Sequence, residues 1–438
     1  MRAAARLVAA AVLSTASRAT GVSRAAPPAA PPCHLNGERG AAGQCICDPG
    51  WTGAQCGQLD LLPAPPLFRQ VSPAAALSND NAAANATWGI SVVGPVAGVY
   101  HGYMTEIANE CLLGEYGVAS QVVHMTASAP LGPWTRQGVA LAGFAHNPQA
   151  ILAPNGSVLL FHIGQQLAPG CLADCRGTAP HGADPHPPKA RPEGCTSPSH
   201  AASVAMAQSP AGPFTRYPYA FPSSATNPAA MLLSPNGTII VALRRGTSSK
   251  QPLYIGHVDS PAGPWRLMSA TVLPTAAGSP SKFDQDPYIF RNPKRGSYHI
   301  INNRQGSAAR HDGCPAACMS LGKCFSPCPD KSGSLCGIGH LYSKDLRTWF
   351  YGEYALGPGG AAAAQCDVTF DGEGSQTQLT SRERPTMFTD AVSGRSFLYT
   401  GASLNKTMYL HSFSLVQEIR TAKTGATREL SPGLSSSH

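Results

Sequence analysis

Acidic side chains are scarce in this chain, 24 among 438 residues, so those at marked positions stand out. Asp284 and Asp286 fall in Phe283-Asp284-Gln285-Asp286-Pro287, and Glu383 falls in Arg382-Glu383-Arg384-Pro385. Two carboxyl groups held on either side of a glycosidic bond, one protonated and one ionised, can cleave it. Asp286 is the candidate base or nucleophile. Glu383 is the candidate acid or the group that tunes one, although Arg382 and Arg384 beside it favour its ionised form unless they point elsewhere. Glu106, in Tyr103-Met104-Thr105-Glu106, is the alternative acid. Trp88, His146, Asn147, Asn227, Asp284 and Arg384 stand at comparable places and are candidate substrate ligands. Arg244, His257 and His340 are candidates for binding hydroxyls or the carboxylate of an acidic sugar. Taken singly, Asn-Pro and Asp-Pro are ordinary turn starts.

What must position these residues is a repeat. One half-motif is an apolar run closed by Ser and an aromatic. It reads Ser128-Ala-Pro-Leu-Gly132-Pro-Trp134, then Ser209-Pro-Ala-Gly212-Pro-Phe214, then Ser260-Pro-Ala-Gly263-Pro-Trp265 and, more loosely, Ser343 to Trp349. The other half-motif is a polar-Pro start followed by strand, turn and strand. It begins at His146-Asn147-Pro148, Thr226-Asn227-Pro228, Asp286-Pro287 and Arg384-Pro385, with a first copy at Trp88-Gly89 that lacks the proline. The halves alternate, and each pair supplies about four strands, one propeller blade. Five starts predict an all-β, five-bladed β-propeller over residues 80–420. Its ring is expected to close between the two ends of the repeat. The polar-Pro positions are the starts of the innermost strands, where a proline is tolerated. They are therefore expected to meet at one mouth of the central channel.

The Asp286-Pro287 start, the string Tyr342-Ser-Lys-Asp-Leu-Arg-Thr-Trp349 and the count of five units resemble the five-bladed propeller glycoside hydrolases, family 43 and its relatives. That resemblance implies a carbohydrate substrate of the furanoside or pentoside type and three carboxylates drawn from different blades. Family members carry acids at the first three starts, where this sequence has Trp88-Gly89, Asn147 and Asn227. The implied active site is therefore a rearranged one, with its acids at the fourth and fifth starts. A non-catalytic carbohydrate-binding or adhesion protein on the same scaffold is the alternative. No cofactor is expected. Some relatives hold a calcium in the channel, but nothing in this sequence specifies one.

Fourteen cysteines and a basic, then apolar, then small-residue N-terminus over residues 1–20 predict a signal peptide and an oxidising, extracellular compartment. Sequons at Asn85, Asn155, Asn236 and Asn405 agree with it. The net charge of +8 comes from few acids and includes no basic run, which argues against a nucleic-acid partner. No apolar stretch reaches membrane-spanning length. Residues 33–56, ending Cys45-Ile-Cys47-Asp-Pro-Gly50-Trp51-Thr-Gly53-Ala-Gln-Cys56, resemble an EGF-like module with four of the usual six cysteines. By that resemblance Cys33 pairs with Cys45 and Cys47 with Cys56, and the module offers a contact surface for a protein partner. Two further cysteine-rich insertions, Cys171 to Cys195 and Cys314 to Cys336, admit a disulfide or a zinc reading, the former favoured by the compartment. Their odd counts require either that Cys111 and Cys366 enter the pairing or that a bond join the two insertions.

Overall fold

The structure, a computed structural model, describes residues 29–65, 85–175, 195, 199–217, 221–233, 237–245, 253–258, 266–273, 284–304, 338–355, 367–370, 376–379, 381–403 and 412–421. The expected signal peptide, Asn236, Asn405 and the cysteines from Cys314 to Cys366 lie outside them.

Five antiparallel sheets form the propeller. Blade 1 runs Thr87–Val96, Val99–Ile107, Ser120–Ala127 and Thr135–Leu141; blade 2 runs His146–Leu152, Val158–Ile163, Ala202–Ala207 and Thr215–Tyr217. Blade 3 runs Ala225–Leu232, Ile239–Arg245, Leu253–Val258 and Arg266–Val272; blade 4 runs Asp284–Arg291, Tyr298–Arg304, Ile338–Ser343 and Trp349–Tyr354. Blade 5 has Ser381–Thr389, Ser396–Ser403 and Ser412–Ile419. Within each blade, strands pair in sequence order. The first strand of every blade touches the first strands of both neighbouring blades, so five first strands make a closed inner ring.

Alternation along the strands puts apolar side chains on both faces of each sheet, because each sheet packs against a neighbour on either side. The core is accordingly split into wedges between blades. Phe161, Val204, Val241 and Leu243 fill one wedge, and Ile240, Ile255, Ile300 and Trp349 the next. Ile90, Met104, Phe397 and Tyr399 fill the wedge between blades 5 and 1.

Blade 5 has three strands of its own, and its outer edge is met by the chain that precedes the propeller. Leu61 bridges to Ile419, Leu62 N donates to Glu418 O at 2.9 Å, and Arg420 N donates to Asp60 O at 2.7 Å. The ring is thus closed by both ends of the repeat, and the closing segment lies at residues 60–62, ahead of residue 80. Edge donors of blade 5 that would otherwise be bare are satisfied by this segment.

Residues 32–59 form a small module with two hairpins, Gly37–Arg39 with Cys45–Cys47 and Trp51–Thr52 with Gln58–Leu59. Cys33 bonds to Cys45 and Cys47 to Cys56. The module is seated on blade 4. Asp48 takes ion pairs from Lys294 at 2.5 Å and from Arg295. The Trp51 ring lies 5.0 Å from that of His340, and His34 stacks on Tyr342 at 4.8 Å. Trp51, Leu59 and Leu61 join Ile301, Ile338 and Leu398 in the wedge between blades 4 and 5. Of the first cysteine-rich insertion, Cys171 bonds to Cys195, and Cys175 bonds back to Cys111 in blade 1. These four cysteines form disulfides; His181 and His186 lie outside the described residues.

Candidate active site

The five polar starts share one backbone device. Gly89, Asn147, Asn227, Asp286 and Arg384 all have positive φ, between 50° and 66°. Strand register slips at each of them: between Trp88 and Ile90, Thr226 and Ala229, Gln285 and Tyr288, and Glu383 and Thr386. In blade 2 the first strand likewise carries the extra residue, between His146 and Gln149, opposite Ile163 and Phe161. A β-bulge bends a strand and re-aims one side chain, and here it does so once per blade. Asn, Asp and Gly take the left-handed region readily; an arginine there is unusual and marks a position held by its surroundings.

These five residues line one channel cavity together with Trp88, Gln149 and the prolines that follow the bulges. Its free volume is about 30 Å³, room for a water rather than a sugar ring. The residues one step earlier in the five first strands are Trp88, His146, Thr226, Gln285 and Glu383.

Asp286 is the hub. It is 4% exposed, and its Oδ1 accepts from Asn227 Nδ2 at 2.6 Å and pairs with Arg384 Nη1. Blades 3, 4 and 5 are thereby tied together in the channel. Gly89 completes the contact from blade 1, since a Cβ there would lie 3.2 Å from Arg384 Cβ. Arg244, in the second strand of blade 3, reaches over to Gln285 Oε1 at 2.8 Å. Burial pushes the Asp286 carboxyl up, and the guanidinium groups of Arg384 and Arg244 pull against it. Asp286 Oδ2 and both side-chain atoms of Asn147 are buried with no hydrogen-bond partner among the described residues. Buried polar atoms of this kind are rare unless a water or ligand serves them.

Glu383 is buried beside this hub, opposite Gly401 in register. The two arginines flanking it in sequence do not serve it as a pair. Arg384 goes to Asp286, while Arg382 donates to Gln417 Oε1 at 2.5 Å and to Thr400 Oγ1 at 3.3 Å. Burial lowers the Arg382 guanidinium to about 9. The bulge at Arg384 breaks the strand's alternation, so Arg382 stays with its own blade while Arg384 turns into the channel.

His146 is buried above Asn147. Its Nδ1 shares a 2.8 Å hydrogen bond with Ser120 Oγ, and its ring lies 4.8 Å from Tyr116. Burial, then Arg384 and His200, hold it well below the usual histidine range, so it stands neutral. Tyr116 and His200, their rings 5.6 Å apart, come from the turn before Ser120 and from the insertion before Ala202. Neither belonged to the repeat, which is why the sequence did not point to them as site residues. Burial raises Tyr116, with Arg384, Arg244 and Asp286 all close enough to act on it.

Other candidates stand elsewhere. Glu106 accepts from Gln121 at 2.7 Å and takes Arg136 in a two-pronged pair at 2.9 and 3.0 Å. Its neighbour Thr105 accepts from Asn147 N at 2.9 Å, so Thr105 faces blade 2 and Glu106 turns away from it. Glu106 is a clamp within blade 1 and is not in the channel lining. His340 belongs to the third strand of blade 4 and packs under Trp51. His257 likewise stands in a third strand, opposite Ile240 and Arg266. Third strands are two removed from the inner ring. Trp88 is 2% exposed and packs with Ile107, Leu113 and Ala119, its ring against Gly401. Asp284 opens the first strand of blade 4, opposite Arg304. Among the described residues no group of three or more His, Cys, Asp or Glu is arranged to hold a metal ion.

No family model matches the chain, and no curated protein does. Among solved structures it is similar to a thermostable family-43 glycoside hydrolase, at 11% identity over 81% of this chain and 98% of that one, with a TM-score of 0.46. It is also similar to an exo-β-1,3-galactanase from Phanerochaete chrysosporium, at 11% identity, TM-score 0.47, covering 82% of this chain and 64% of that one. A family 32 β-fructofuranosidase from Bombyx mori shows 10% identity and a TM-score of 0.47, over 80% and 65% of the two chains. At such identities the likeness is one of fold.

Proposed function

We propose that the protein is a secreted glycoside hydrolase acting on a furanoside- or pentoside-type glycan, with Asp286 as base or nucleophile and Glu383 as acid. The observation that carries this reading is the division of the arginines. Arg384 pairs with Asp286 and pulls its carboxyl towards the ionised form, against the burial that raises it. Arg382 is engaged with Gln417 and Thr400, so the two arginines flanking Glu383 in sequence are not both committed to it. Glycoside cleavage requires two carboxyl groups in different protonation states, and Asp286 and Glu383, on adjacent blades, are the pair assigned to it here. Asp286 Oδ2 and the Asn147 amide supply unused hydrogen-bonding atoms for hydroxyls or a nucleophilic water. Disulfides in the module and in the first insertion support an oxidising compartment.

A second reading, glycan binding without turnover, is favoured by the channel lining itself. Gly89, Asn147 and Asn227 fill three of five equivalent places with groups that cannot transfer a proton at neutral pH. A panel of aryl glycosides and arabinan, xylan and galactan oligosaccharides separates the two. Hydrolysis by the parent protein, with Asp286→Asn and Glu383→Gln each lowering kcat by about 10²–10⁴, is the expected outcome. Binding by the parent with no turnover would leave only the second reading.

A further inference from the structure

A second cavity, of about 370 Å³, opens between blades 1 and 2. It lies at the same end of the propeller as the strand starts. Ala142 follows the last strand of blade 1, and Gln165 follows a strand whose Ile163 is level with His146. Its polar lining is Gln165, Gln166, Ser203 and Arg216, and the half-buried Phe214 ring forms part of its wall.

Arg216 is what makes this cleft notable. Its Nη1 donates to Phe144 O at 3.2 Å and its Nη2 to Ala142 O. Those carbonyls occupy only part of its fork of donors. No carboxylate pairs with it among the described residues. The nearest titratable neighbour is His162, held neutral at about 3 by burial and by Arg216 itself. Its Nε2 is buried with no partner among the described residues. Among the described residues the cleft wall therefore carries a partly buried positive charge with no counter-charge, and burial drags the guanidinium down to about 10. Buried charges are normally paired, and a guanidinium fork matches a carboxylate or sulfate in shape as well as sign.

We propose that this cleft is an acidic-sugar subsite. Arg216 takes the carboxylate or sulfate ester of a saccharide unit. The Gln165 and Gln166 amides and the Ser203 hydroxyl take ring hydroxyls, and Phe214 supports the ring face. The inference rests on the glycan reading of the channel at the same end, and adds that the glycan carries anionic units beside the residue held there.

Titration calorimetry on the full chain tests it with three probes: an oligogalacturonate trimer, a sulfated galactan tetrasaccharide and neutral arabinotriose. Both anionic probes share the chemistry, and whichever binds more tightly identifies the source of the charge. Gln166→Glu places a carboxylate at an exposed position of the cleft and leaves Arg216 holding its carbonyls. It is expected to weaken the anionic probes about tenfold or more relative to neutral arabinotriose. Arg216→Gln should do the same, and Gln166→Glu guards against loosening of the Phe144 turn. Anionic affinity should also fall between 0.05 and 0.5 M salt. Anionic and neutral probes bound equally, or anionic binding untouched by Gln166→Glu, overturns the subsite and leaves the glycan reading standing. Failure of all three probes to bind overturns both.

Discussion

The channel centre and the seam between blades 4 and 5 are both buried, both rich in titratable side chains, and built on opposite principles. In the channel, charges are kept: Asp286, Arg384 and Arg244 converge from three blades, and several polar atoms are left without partners. At the seam, charge is removed. Ser297 Oγ shares a hydrogen bond with His299 Nε2 at 2.8 Å, and His299 Nδ1 another with His340 Nε2 at 3.0 Å. Burial holds His299 at about 3, His340 well below the usual range, and His34 lowered too, while Trp51, Phe290 and Tyr342 stack around them. Asp48 with Lys294 and Arg295 lies at the rim; burial pushes Asp48 up, and the two cations outweigh it. The difference lies in charge rather than in satisfaction: His34 Nδ1 and His340 Nδ1 at the seam are also buried with no hydrogen-bond partner among the described residues, but burial keeps those rings neutral.

That contrast can be broken from either side. The largest effect is expected from Arg384→Met, which strands the buried Asp286 carboxylate. Removing one partner of a buried pair costs about 3–5 kcal/mol, read as a drop in the urea midpoint. Next is Trp51→Ala at the seam, expected to cost about 2–4 kcal/mol and to expose the module to limited proteolysis before the propeller is cut. Acid should then act on the seam. The fold holds these histidines below 6.5, so their contribution is complete above pH 6.5 and is lost as pH falls towards about 3. Other buried histidines share this loss, so the measurement is a difference. The fall in Tm from pH 7 to pH 5 should be smaller in His340→Leu than in the parent protein. The smallest effect is expected from Glu106→Gln. Arg136 is 41% exposed, so solvent screens the pair, and a change of about 1 kcal/mol or less, with glycan turnover unaltered, is the outcome. A loss of turnover there would return Glu106 to the site.

The repeat made the five blades and the ring of strand starts legible, because Pro after a polar residue and Gly-Pro-aromatic turns are local signals that recur. It also located Asp286, Asn147, Asn227 and Arg384 on one channel. What it could not convey is direction. His257 and His340 share a register position that places them on third strands, and Glu106 differs from Thr105 only in which face its alternation selects. Arg384 read as a neighbour of Glu383, yet its positive φ and the bulge send it to a different blade. Tyr116 and His200 lie in unrepeated stretches and carry no pattern at all. The role of His34 and Trp51 depends on a contact with residues some 250 to 300 positions later, which no local signal announces.

The latch at Leu61 and Ile419 has a consequence for how the chain comes to exist. Its first partner is made early and its second almost last, so during synthesis the small module must wait with Trp51 and Leu61 unburied while the whole ring is produced. A chain that stops short of Ser412 lacks the third strand of blade 5 and leaves Leu61 with no strand to bridge to.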